Sequence, residues 1–295
     1  MFNDTLSNRP AKFPVAVVAD SAASIPAECL HHPQLSIVPM RLTLDGRSYL
    51  DGKDLSTAEF YRLQRSSNVV PSTAAPSPAD FRQAFIAASE VAEAVICITV
   101  SSRYSSSSDA ANSAVEEMSR EHRDTDIHVV DSQTAGGGEG LVVLEALRAA
   151  EAGLSLNEVD KSAWAVIKRV RLVAMLDTLH YLWKGGRVPR LAMAGASLLR
   201  IKPIFGLRLG EAEGLARPRT RRRAMGRLLE YVGRDAAAGP VHACVMHADC
   251  PDDAEGIRAK LEETFDCREL YISELTPVLG AHIGPGMVGI AWWSE

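Results

Sequence analysis

The sequence predicts an α/β protein of two domains. Residues 1–160 form an N-terminal domain on a mostly parallel, doubly wound sheet with flanking helices, and residues 161–295 form a C-terminal α+β domain with a mixed, partly antiparallel sheet. Three observations predict this. Short apolar runs alternate with helical spacing through the first half, the pattern of βα units on a parallel sheet. The second half is less regular and holds two extended segments close enough to form a hairpin. A length of 295 residues suits about two domains of ~100–200 residues, each able to bury a core.

In chain order, 15–19 is an apolar run that ends at Asp20-Ser21, and 35–44 is one extended stretch closed by the turn pair Asp45-Gly46. A helix over 56–65 follows. Ser77-Pro78-Ala79-Asp80 is a helix start, with a Ser cap, Pro at the first helical position and an acid in the first turn. A buried strand over 94–100 leads into the polar loop 101–107 and a helix to 120. A strand over 127–130 ends at Asp131-Ser132, and a turn at Gly136-Gly137-Gly138 opens a helix through 152. A helix over 154–170 carries the chain across the domain boundary near 160. The second half then reads as a strand (171–176), a helix to Lys184, and a hairpin whose arms, 201–209 and 214–217, flank a Gly-Glu-Ala-Glu-Gly turn. A strand at 241–247, a helix at 253–265 and strands at 267–273 and 288–293 complete it.

Composition narrows the function. The net charge of −5 argues against a general nucleic-acid binder, which is expected to be basic. Five scattered cysteines with no C-x-x-C pair read as reduced thiols in a cytoplasmic protein. Residues 1–12 are polar and lack the apolar core of a secretory signal. No apolar run approaches the ~20 residues that span a membrane, so any membrane contact is transient. His242, Cys244, His247 and Cys250 match no zinc spacing and read as strand packing, so neither a metal nor a cofactor is expected. A nucleophile elbow and a Walker loop are both missing from the sequence.

Four features carry chemistry. In a parallel sheet, ligands bind at the carboxyl ends of the strands, and here those ends read Asp20-Ser21, Ser101-Ser102 and Asp131-Ser132, with the Thr73 loop before the Ser77 helix. Hydroxyls and helix N-terminal N–H groups suit a single anion such as a carboxylate, although such residues also simply cap helices and shape turns. Gly280-Ala281-His282-Ile283-Gly284-Pro285-Gly286 places a His on a Gly-rich loop, as a hydrogen-bond donor or a structural turn residue. Lys184-Gly185-Gly186-Arg187 has the form of a helix C-terminus. Five arginines between Arg217 and Arg223 form either a solvated face or a docking patch for an acidic partner or phosphate.

These motifs, in order along nearly the whole chain, resemble the DegV family, fatty-acid-binding subunits of bacterial fatty-acid kinases. The matching segments are Val17-Val18-Ala19-Asp20-Ser21, Val38-Pro39-Met40, Tyr49-Leu50-Asp51, Phe60-Tyr61, Thr73 to Pro76, Ser101 to Ser105, Asp131-Ser132, Tyr181 to Arg187, Ile201-Lys202-Pro203-Ile204 and Gly280 to Gly286. The resemblance implies a long-chain fatty acid in a tunnel between the two domains, its carboxylate bound by Thr73, Ser105 and His282. It also implies that a separate kinase catalytic subunit phosphorylates that carboxylate to an acyl phosphate, the chain itself catalysing nothing. Asp20, Ser21, Ser101, Ser102, Ser106, Asp131, Ser132, Gly280 and Gly284 then belong to the neighbouring loops. Arg187, with Arg221 and Arg222 from a loop, faces the phosphoryl group or the partner.

Two departures bear on the head-group loops. Ser105-Ser106-Ser107 stands where the family has Ser-Gly-Thr, so a loop that needs positive φ at its middle residue has a different shape here. Thr73-Ala74-Ala75-Pro76 replaces Thr-Ser-Gln-Pro. A tail of roughly 15 methylenes gains on the order of 10 kcal/mol on burial, partly offset by lost freedom, and its buried carboxylate needs several donors. Two other readings remain: a serine hydrolase with Ser105 or Ser132, His282 and Asp131 as a triad, and a binding module for another anionic metabolite centred on the arginines.

Overall fold

The computed structural model describes residues 12–66, 70–121, 125–186, 201–236 and 239–295. The first strand, β1 (Phe13–Asp20), pairs in parallel with β2 (Leu35–Val38). Pro39 follows β2. The chain then leaves this sheet for a small antiparallel one of β3 (Arg41–Leu44), β4 (Arg47–Leu50) and, beyond α1 (Thr57–Ser66), β5 (Ser72–Ala74), in the order β4-β3-β5. The stretch 35–44 is therefore two strands in two sheets: proline has no N–H for a ladder and ends the first. Asp45 and Gly46, both at positive φ, make the expected turn.

Helix α2 (Pro78–Val91) starts as expected, with Ser77 and Asp80 in a reciprocal capping box. After it come β6 (Ala92–Thr99), α3 (Ser107–Arg120) and β7 (Asp126–Asp131), which complete a four-stranded parallel sheet in the order β2-β1-β6-β7. Alternation along its strands sorts the core into two layers. Ala16, Val18, Val95 and Cys97 pack on α2 and α3, while Val15, Val17, Ala19, Ile96 and Ile98 face α4 (Gly137–Glu151) and α5 (Leu156–Ile167).

The second sheet holds β8 (Arg171–Met175), β9 (Ile204–Arg208), β10 (Glu211–Ala216), β11 (Val241–His247), β12 (Cys267–Glu274) and β13 (Val288–Ser294), in the order β10-β9-β8-β13-β11-β12. Only β11 and β12 pair in parallel. Between these strands lie α6 (His180–Lys184), α7 (Arg221–Asp235), α8 (Pro251–Thr264) and α9 (Pro277–Ile283). The protein is thus α/β, with a parallel sheet flanked by helices and a mixed, mostly antiparallel second sheet. The hairpin turns at Leu209-Gly210, both at positive φ, and not over 210–214. Its tip is pinned to the first sheet's loops: Gly210 N–H donates to the Gln133 carbonyl at 2.6 Å, Tyr104 hydroxyl to the Gly210 carbonyl at 3.1 Å, and Arg103 pairs with Glu211. Position 209 accepts this because two successive positive-φ residues match the twist of a two-residue hairpin.

Helices α7 and α8 cover one face of the second sheet. Its other face, through Cys244, Met246 and Ala291, packs on the same cluster that contains α4. Helix α4 therefore touches both sheets, and twelve of its fifteen residues are buried. It lies so close that a Cβ at Gly137 would stand 2.7 Å from Cys244 Sγ, and one at Gly140 would collide with the Ser24 carbonyl oxygen. His242, on the strand as expected, stacks on Trp293 at 4.2 Å and bonds Glu269 and Glu295. Among the described residues no helix is long and apolar enough to cross a membrane, and no group of three or more His, Cys, Asp or Glu is arranged to hold a metal.

Gly140→Ala should lose about 1–3 kcal/mol in denaturant melts, the cost of overpacking. Gly256→Ala, on the exposed face of α8 with open space around it, should gain up to about 1 kcal/mol from helix propensity. Equal effects would mean that α4 tolerates separation from the Ser24 loop.

Candidate functional site

A cavity of about 570 Å³ opens between the carboxyl ends of the parallel sheet and the second sheet, within the usual size of small-molecule sites. Most of its wall is apolar, with Leu172, Phe205 and Leu207 from the second sheet and Met40, Val100 and Leu279 from the other side. Its polar lining includes Thr73, Ser105, Ser106 and His282.

Thr73 Oγ1 and His282 Nε2 lie 2.7 Å apart, joining β5 to α9 across 209 residues of sequence. Thr73 sits opposite Leu42 in the β3–β5 ladder. His282 is in the last turn of α9, a helix and not the expected loop. That helix is placed by packing and by one buried acid. Gly280 lets it approach α1, where a Cβ would stand 2.7 Å from both the Phe60 ring and the Tyr61 hydroxyl. Gln64 donates to the Gly280 carbonyl at 3.0 Å, and Tyr61 to the Leu275 carbonyl at 3.2 Å. Gly284, at φ 77, ends the helix where any side chain would run into the Tyr181 ring.

Asp51 is the acid. It is 3 % exposed. Its Oδ1 accepts the Val278 N–H at 3.1 Å, in the first turn of α9, and its Oδ2 accepts the Ser21 hydroxyl at 2.6 Å. Ser21 Oγ in turn accepts the Met40 N–H at 3.0 Å. Burial pushes the Asp51 carboxyl up to about 6, with bonds from Ser21, Val278 and Thr276 opposing and the nearby Asp20 adding. Asp51 was not among the expected site residues. Its only sequence signal was its place in the Tyr49-Leu50-Asp51 segment.

Ser105 follows β6 and precedes α3. Its Oγ accepts the Ser107 N–H at 3.2 Å and lies 3.0 Å from Ser107 Oγ. Ser106 is the N-cap residue at φ −92, ψ 16, so the loop here runs without positive φ and Ser106 fits unstrained. The other strand-end residues stand behind the cavity and tie its loops. Fully buried Asp20 accepts the N–H groups of Ala22 and Val100, each at 3.0 Å. Ser101 N–H donates to the Thr134 carbonyl, and Ser102 hydroxyl to Asp131 at 2.6 Å. Asp131 also accepts the Gln133 N–H at 2.8 Å, while Ser132 is buried against Thr134. The acid and one serine of a triad are thus engaged within their own loops.

Arg221 opens α7 and is not in a loop. Its guanidinium donates to the Gly286 carbonyl and to Asp253, each at 2.6 Å, and approaches Asp177 at 3.4 Å. It braces the turn after α9. Arg217, Arg219, Arg222 and Arg223 are exposed beside it. Arg187 lies outside the described residues; before it, α6 ends at the C-cap Gly185, where a Cβ would stand 2.6 Å from His282 Nδ1.

Over residues 14–295 the sequence matches the model of a family described as "Uncharacterised protein, DegV family". The chain belongs to the DegV family. It is 30% identical to Protein DegV of Bacillus subtilis over 283 residues, 94% of this chain and 98% of that one. Two solved DegV structures share its fold along almost the full length. One, from Thermus thermophilus and described by its fatty-acid binding, has a TM-score of 0.88 at 26% identity, covering 96% of this chain and 100% of that one. The other, DegV of Bacillus subtilis, described as a fatty acid binding protein, has a TM-score of 0.84 at 29% identity over 96% and 100%. The glycines of the DegV-like segment Gly280 to Gly286 have a packing reason here, since two of them admit α1 and Tyr181 against α9.

Asp51 makes a pH-dependent contribution. Its folded-state value lies above the ordinary 3.8, so the fold favours the protonated form. The stability this confers is complete below pH 3.8 and is lost as pH rises through about 6, in total on the order of 3 kcal/mol. Wild type should therefore lose stability relative to Asp51→Asn between pH 4 and 7 in thermal melts. A pH-independent difference would place the Asp51 titration in the ordinary range.

Proposed function

We propose that this protein binds a long-chain fatty acid in the cavity, with the carboxylate held by Thr73, Ser105 and His282, and presents it to a separate kinase subunit that forms the acyl phosphate. The observation that carries the reading is the Thr73–His282 pair, set with Ser105 in the wall of an otherwise mostly apolar cavity. Apolar walls bury the tail at about 0.8 kcal/mol per methylene, and two hydroxyls and an imidazole meet the donor requirement of a desolvated carboxylate. The two DegV structures described as fatty-acid-binding support the reading through their shared fold. In this reading the division at 1–160 and 161–295 gives two domains with the lipid between them, α4 and α5 acting as the joint. The chemistry belongs to the partner, which Arg187 and the exposed arginines near Arg222 meet. Arg221 acts there only indirectly, through the Gly286 turn it braces.

Native mass spectrometry of the purified protein should show a long-chain fatty acid released on denaturation. Finding none, with no uptake of added oleate or palmitate, ends the proposal. Ser105→Ala or His282→Ala should weaken palmitate binding by roughly 10- to 100-fold, the loss of one hydrogen bond to a charged group, with the fold intact by circular dichroism. For the partner face the informative change is Arg222→Glu, since Arg221 is structural. It should lower acyl-phosphate formation with a cognate kinase and leave palmitate affinity near wild type. An equal loss of both would assign Arg222 to the lipid site.

A further inference from the structure

The hairpin of β9 and β10 closes one side of the cavity, with Phe205 and Leu207 of β9 and Ala212 of β10 on the wall. Among the described residues β10 pairs only with β9, so it is an edge strand. The tip of the hairpin is held by the loops that follow β6 and β7, through three contacts of unequal strength. The Gly210 N–H bond to the Gln133 carbonyl joins backbone to backbone at 2.6 Å. Arg103 and Glu211 form an ion pair whose side chains are both more than half exposed, so that pair is worth little. The third contact is the partly buried Tyr104 hydroxyl, which donates to the Gly210 carbonyl at 3.1 Å.

Tyr104 directly precedes Ser105, and both are on the cavity wall. The ties of Ser105 itself are local. Its N–H donates to the Ser101 carbonyl at 3.2 Å, its Oγ accepts the Ser107 N–H at 3.2 Å, and that Oγ lies 3.0 Å from Ser107 Oγ. Ser102, Arg103 and Ser106 around it are exposed. These bonds shape the loop but do not set its distance from the second sheet, and the Tyr104–Gly210 bond does. The hairpin tip keeps its backbone bond to Gln133 whether or not residue 104 carries a hydroxyl. The effect of that hydroxyl therefore falls on the Ser105 loop and not on the hairpin. Position matters at this donor, since a hydroxyl bonded to a carboxylate sits at only about 2.5–2.7 Å and the bond weakens steeply as it bends.

We propose that Tyr104 is a positioning residue for the head group, its hydroxyl fixing the Ser105 loop to the β9–β10 hairpin so that Ser105 Oγ meets the carboxylate of a ligand whose tail lies along that hairpin. This rests on the fatty-acid reading of the cavity and deepens it. The wall that covers the tail also sets the donor for the carboxylate, and Tyr104 acts only through Ser105.

The test compares palmitate with 1-hexadecanol, which has the same tail length and no carboxylate, by isothermal titration calorimetry on wild type, Tyr104→Phe, Tyr104→Leu and Ser105→Ala. Tyr104→Phe should weaken palmitate binding by roughly 3- to 10-fold, the range of one hydrogen bond between neutral groups, and change hexadecanol binding by less than about twofold. Tyr104→Leu, which also lacks the hydroxyl, should give the same split and decides the matter if the Phe variant does not fold. In the Ser105→Ala background, Tyr104→Phe should cost palmitate less than about twofold, because the group it positions is already gone. Equal losses on both ligands would make Tyr104 a wall residue for the tail, and full additivity with Ser105→Ala would separate it from Ser105. Either result overturns the proposal while the fatty-acid reading stands. A loss in Tyr104→Leu that a folded Tyr104→Phe does not share assigns the effect to the ring and overturns it as well. No palmitate binding to wild type removes the fatty-acid reading, and the role of Tyr104 with it.

Discussion

Helix α4 has to fit between two sheets, and the rest of the molecule is arranged around that constraint. It can do so only because it is thin where the sheets come closest. Gly137 faces Cys244 of β11, and Gly140 faces the Ser24 carbonyl after β1. Where it is packed on both sides the helix has no solvent face, which explains why Leu141 to Leu144 are all buried and apolar, while Glu145, Arg148 and Glu151 reach solvent further along. Its N-terminus is aimed at the carboxyl ends of the parallel strands. There the cavity forms, since the loops that follow β1, β6 and β7 meet the second sheet without filling the space between.

The polar side of this joint is built from buried acids that tie segments far apart in sequence. Asp51 holds the start of α9, 227 residues further along the chain, to the Ser21 loop, and Asp20 ties Ala22 and Val100, which follow neighbouring strands, together. Each acid accepts backbone N–H groups that would otherwise be buried without partners, a costly state. His282 meets Thr73 because of these ties. Neither side chain is long, so a shift of α9 by an ångström would break their contact. The same reasoning applies to Arg221, whose bond to the Gly286 carbonyl fixes the far end of that turn.

Much of the first sheet was legible from local pattern. Ser77-Pro78 begins α2 because a cap and a proline act within a single turn, and β6 reads as a strand because its apolar run is too short for a helix. Errors occurred where a single residue outweighed the pattern around it. Pro39 split one extended run between two sheets, and Leu209 took a positive φ that its side chain gave no reason to expect. The arginine run reads as a loop by charge alone, because three positive residues at a helix N-terminus oppose the dipole. Thr220 caps the helix regardless, and Asp253 and Asp177 neutralise the first of the three. The Ser106 substitution signalled a reshaped loop, but the residue sits in ordinary backbone space.

The sequence by itself determined the α/β class, the order of most strands and helices, the family, and the residues Thr73, Ser105 and His282 as candidates for an anion. These depend on short-range periodicity, on caps and turns, and on motifs that keep their order along the chain. Tertiary structure alone decided that Thr73 and His282 touch, that Asp20, Ser101 and Ser132 lie behind the cavity wall, and that Asp51 and Glu139 are buried acids. Burial and contact depend on which elements pack together. A carboxylate in a Gly-rich or turn-like segment looks the same in sequence whether it ends in water or between two sheets, and only the packing of α4 and α9 settles which.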